Sequence, residues 1–98
     1  MQRKTKTDNN MEKTIKNLEN EIEDYFYEFD SHVLTVSDFD IRTSQNVPIT
    51  HITQHSSVPN ATIGLWCGDP ENDKHAEELI VSDEERIRIY KELQEYLY

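Results

Sequence analysis

The sequence predicts an α+β fold: two helices packed on one face of a small antiparallel sheet of three or four strands, in the order α-β-β-β-α. Three observations predict it. Apolar residues recur at helical spacing over residues 11–29 and again after Ser82, with no Gly or Pro inside either run. Between them lie short β-branched stretches bounded by polar turns. Those turns are too short for crossover connections, which favours antiparallel pairing.

Residues 1–10 hold no apolar side chain except Met1 and carry net charge +2, so they read as a flexible basic arm ahead of one small domain over residues 11–98. In the first helix Ile15, Leu18, Ile22, Tyr25 and Phe29 form a stripe, extended by Met11 and widened by Phe26, with Asn9 or Asn10 as its N-cap. The stripe needs a cover. Either the domain's own sheet supplies it, or a second copy does in a helical seam too short to be strong alone.

Residues 32–36 alternate as a strand, with Leu34 and Val36 on one face. Phe39 and Ile41 fall on the opposite parity, so a bulge or turn at Ser37 and Asp38 must return them to the core. After a polar stretch broken by Asn46 and Pro48, residues 49–55 read as a second strand. Residues 61–67 read as a third, with Ile63, Leu65 and Cys67 on one face, Thr62 and Trp66 on the other, and Gly64 leaving room for another backbone. Residues 79–81 are a candidate edge strand. The second helix opens on a capping box, Ser82 with Glu85, and has Asp83 and Glu84 in its first turn. Ile87, Tyr90, Leu93 and Leu97 form its buried stripe with Tyr96 beside it. Glu84–Arg88, Arg88–Glu92 and Lys91–Glu95 are spaced to pair along its outer side.

The 98 residues carry 20 acids against 10 Lys and Arg, a formal charge of −10, with 35% hydrophobic residues. One Trp, five Tyr and three Phe make the chain too aromatic for full disorder. No stretch approaches the ~20 apolar residues of a membrane-spanning helix. The basic start is not followed by the apolar run of a secretory signal, and the single Cys67 forms no internal disulfide, so a reducing cytoplasm is expected. The acidic balance excludes the usual basic face for direct nucleic-acid binding and opposes docking on anionic lipid.

One feature of the charge pattern is physically odd. Glu19, Glu21, Glu23, Asp24, Glu28 and Asp30 crowd the C-terminal half of the first helix with no Lys or Arg among them. The helix dipole disfavours anions there by roughly 0.3–1 kcal/mol each near the last turn. Glu21, Asp24 and Glu28 also form a like-charged row. Such a row fits a cation-rich partner surface, while the plain alternative is a face that serves solubility alone. Carboxylates ~5–6 Å apart approach the charge density of duplex DNA. The row could therefore occupy a protein cleft built for nucleic acid, the strategy of small phage and mobile-element proteins that block host enzymes by DNA mimicry.

Other chemistry is weakly supported. His51, His55, Cys67, Asp69 and His75 lack metal-site spacing, because His51 and His55 on one strand lie roughly 13 Å apart at ~3.3 Å per residue. Two glycines permit no phosphate-cradling loop, and no nucleophile motif is present. No cofactor, metal or catalytic residue is expected. The expectation is a non-enzymatic inhibitor or adaptor whose partner-binding residues are the six acids, with Trp66 as an exposed aromatic anchor. The alternative is a small structural or oligomer-forming subunit of a larger assembly, suggested by the 11–29 stripe and Trp66, with a homodimer as one form.

Overall fold

The computed structural model describes the backbone of residues 2–97 and the side chains of residues 11–97. Helix α1 spans Gln2–Glu28, strand β1 Val33–Thr35, β2 His51–Thr53, β3 Gly64–Cys67, β4 Glu77–Glu78, and helix α2 Asp83–Leu97. The strands form one antiparallel meander in the order β1-β2-β3-β4. This is the expected α+β class, with four strands.

α1 covers more sequence than the apolar stripe, because nothing between Gln2 and Met11 breaks a helix once its later turns are packed. Its N-cap is therefore not Asn9 or Asn10. The side chains of the basic arm, and Tyr98, lie outside the described residues. Ile15, Leu18, Ile22, Tyr25 and Phe26 are buried, but Phe29 is 61% exposed. The helix has already ended beneath it. Asp30 adopts φ 51°, its amide bonds Tyr27 O, and the Ser31 amide reaches back to Phe26 O. This is a Schellman closure with an aspartate where glycine is usual.

Ile52 pairs with Leu34 and Leu65, and Ile52 and Leu65 are fully buried in the cluster that also holds the stripes of both helices. The opposite face carries Thr35, His51, Thr53 and Trp66, none of them buried. The expected return of Phe39 and Ile41 to the core is made by a 3-10 turn over Ser37–Phe39 with Asp40 left-handed at φ 54°. Ile41 is buried and Phe39 stacks on Tyr96 at 5.0 Å. Gly64 answers to a side chain rather than a neighbouring backbone alone: a Cβ there would stand 2.8 Å from the Trp66 indole nitrogen and from His55 O. The indole lies over the glycine and donates to Thr53 Oγ1 at 2.9 Å.

Three local expectations need correction. The fourth strand is Glu77–Glu78, not residues 79–81; Leu79 and Val81 turn toward the core while Ile80 is 82% exposed. Glu78 fixes this register, because it accepts from the Ser56 and Ser57 hydroxyls and the Ser57 amide. In α2 the fully buried positions are Arg86, Ile89, Tyr90 and Leu93, with Ile87 and Leu97 only half-buried. The capping box is half made: Ser82 Oγ accepts from the Glu85 amide at 3.2 Å, but the Glu85 carboxylate turns away to Ser44. That leaves Arg88 pairing with Glu85 and Glu92.

Candidate functional site

The six acids expected to meet a partner, five on α1 and Asp30 just after it, do not form one surface. Glu19 and Glu23 lie on one i,i+4 ridge that continues to Tyr27, whereas Glu21, Asp24 and Glu28 lie on another. Glu19 dips into the core and is 2% exposed. Its Oε2 accepts from the Thr62 amide at 2.8 Å, the Ile63 amide at 3.1 Å and the Tyr90 hydroxyl at 2.7 Å. Arg86, also 2% exposed, donates from Nη1 to that hydroxyl at 2.8 Å and to Ile63 O at 3.0 Å. The Tyr90 hydroxyl thus stands between a buried anion and a buried cation that make no direct ion pair. Burial pushes the Tyr90 phenol well above its ordinary range and Glu19 adds to this, while Arg86 pulls the other way. Glu19 is therefore a structural residue that pins the loop before β3 to both helices, and at 2% exposed it presents almost no surface to a partner.

Of the remaining acids, Glu21 accepts from Gln94 of α2. Glu23 is half-buried and Asp24, Glu28 and Asp30 are exposed, and none of these four has an ion pair among the described residues. The chain offers no Lys or Arg between Lys16 and Arg42 to neutralise them. Trp66, expected as an anchor, is half-buried on the open sheet face with its only donor used by Thr53.

Two clefts mark the surface. One, of about 230 Å³, lies where the Thr43–Val47 loop meets Leu79–Ser82 and Glu85. The other, of about 380 Å³, lies at the C-terminal end of α1, lined by Phe26, Tyr27, Asp30, His32, Gln54 and His55. Tyr27 is 70% exposed beside it. His32 Nδ1 lies 2.8 Å from Gln54 Oε1. With that oxygen accepting, the proton is on Nδ1 and Nε2 of the neutral ring is an acceptor. Asp69 is held below the usual carboxylate range by hydrogen bonds from Asn72 and the Glu71 amide. Glu78 is lowered too: burial works to raise it, but the Ser56 and Ser57 bonds together outweigh that. Among the described residues no group of three or more His, Cys, Asp or Glu side chains is placed to hold a metal ion, and no helix is long and apolar enough to cross a membrane.

The cleft at the end of α1 escaped the sequence reading because it joins residues from a helix end and two strand ends. The buried polar triad left a clearer signal. Glu19 is one turn from Ile15 and from Ile22, and Arg86 shares a ridge with Tyr90 and Leu93, so both occupy core-facing positions. No family model, no curated protein and no solved structure matches the chain.

Proposed function

We propose that this chain is a non-enzymatic, acidic protein-binding module that docks the C-terminal half of α1 on a cation-rich surface of a cytoplasmic partner, a surface that otherwise holds nucleic acid. One observation carries the reading. Glu28 and Asp30 sit at the helix end where its dipole opposes them, Glu23 and Asp24 lie just before that last turn, and no cation of the described residues neutralises the four. A basic partner surface would relieve that opposition and would be steered toward it over long range. An acidic helix end occupying such a surface would act as an inhibitor by mimicry of a phosphate backbone.

Competition tests this. A partner captured on the chain from cell lysate is challenged with duplex DNA at rising salt. The expected result is mutual exclusion of chain and DNA, with capture weakening steeply from roughly 50 to 200 mM salt. Capture disturbed neither by DNA nor by salt would overturn the reading.

A further inference from the structure

The cleft at the C-terminal end of α1 has a composition that the acidic face alone does not explain. It is an open cleft of about 380 Å³. Its wall combines an exposed phenol ring, Tyr27, with the Asp30 carboxylate and the imidazoles of His32 and His55. The C-terminal end of a helix contributes partial negative charge. Glu23, one turn before Tyr27 on the same ridge, adds a full one. The charges of α1 nearest the cleft thus favour a cation, and the Tyr27 ring favours one that stacks.

Resting on the proposed binding to a basic protein, we infer that this cleft seats an arginine side chain of the partner, its guanidinium stacked on Tyr27 and forked onto Asp30. Arginine fits better than lysine for chemical reasons. A guanidinium is planar and weakly hydrated, stacks on aromatic faces, and offers five donors in a fixed fork. The cleft supplies a ring and a carboxylate that accepts two parallel bonds. A lysine ammonium would use the charge but neither the ring face nor the fork.

The test follows backbone amide shifts by NMR as the full chain is titrated with a nonapeptide of arginine and glycine, and separately with its lysine counterpart of equal charge. The arginine peptide is expected to bind more tightly and to shift Tyr27, Asp30, Ser31, His32, Gln54 and His55. Tyr27→Ala and Asp30→Asn are expected to weaken it by about two- to fivefold each, and Tyr27→Phe is expected to retain binding. Tyr27 is exposed, and Asn tolerates the left-handed backbone of residue 30, so both variants keep the fold. Equal binding of the two peptides, or binding of the arginine peptide indifferent to Tyr27→Ala, would overturn the arginine assignment. Shifts confined to Asp24 and Glu28 would overturn the cleft while leaving the acidic-face reading standing. Binding of neither peptide would overturn both.

Discussion

Glu19, Arg86 and Tyr90 show how one buried polar group decides what a neighbouring sequence can do. A carboxylate among Ile15, Ile22 and Phe26 is tolerable only because two backbone amides and a phenol satisfy it. Glu19→Ala would strand those donors and leave Arg86 without its counter-charge, so denaturant unfolding should show a loss of about 3–5 kcal/mol. Glu19→Gln keeps an acceptor oxygen and should lose less. The triad also sets an alkaline limit. Burial raises the folded-state pKa of Tyr90 above its ordinary 10.0, so stability is fully present below pH 10.0. Above that value the unfolded chain gives up its phenol proton and the folded chain does not, so stability falls as pH rises. Unfolding free energies measured from pH 8 upward should decline for the wild type, and Tyr90→Phe should flatten the decline while lowering stability at neutral pH. Composition marked Glu19 as one acid among six. Only its phase between Ile15 and Ile22 separates it from the others.

At the scale of elements, the two helices are opposites. α2 begins with Asp83, Glu84 and Glu85 behind a Ser82 cap, in agreement with its dipole, whereas α1 ends on acids with no base in its last turn. Thermal melts of two variants should therefore move in opposite directions. Ser82→Ala removes a cap and should lower stability by about 1 kcal/mol. Glu28→Lys reverses an unfavourable charge and should raise it by about 0.3–1 kcal/mol. The helices were legible because their periodicity is long and their caps are local. The strands were legible in place but not in extent. β1 and β2 are three residues each, although the Val36 amide beyond β1 still donates to Thr50 O at 2.7 Å as Val36 enters the core. The fourth strand was misplaced because Leu79, Ile80 and Val81 have the β-branched composition of a strand. The register is held instead by Glu78 and two serines more than twenty residues away, a contact that no local window contains.

For the whole molecule, the meander leaves two sheet edges, and both are blunted. Val33 turns its amide and carbonyl outward, and the Ser31 hydroxyl bonds to both. β4 is two glutamates long. These features oppose edge-to-edge growth. With α1 and α2 covering one face of the sheet, Ile15, Leu18, Ile22, Tyr25 and Phe26 of the apolar stripe are buried within the fold, while Phe29 at its end stays exposed. What the molecule leaves outward is the uncompensated charge at the end of α1, and the proposed docking through that end makes its position matter, not merely its sign. Binding to a captured basic partner should therefore be compared between two variants of equal net charge, Asp24→Lys with Glu28→Lys on α1, and Glu77→Lys with Glu95→Lys elsewhere on the surface. The α1 pair is expected to lose binding while the other pair stays close to wild type. An equal loss in both would mean that only overall charge counts, and would contradict the proposed docking.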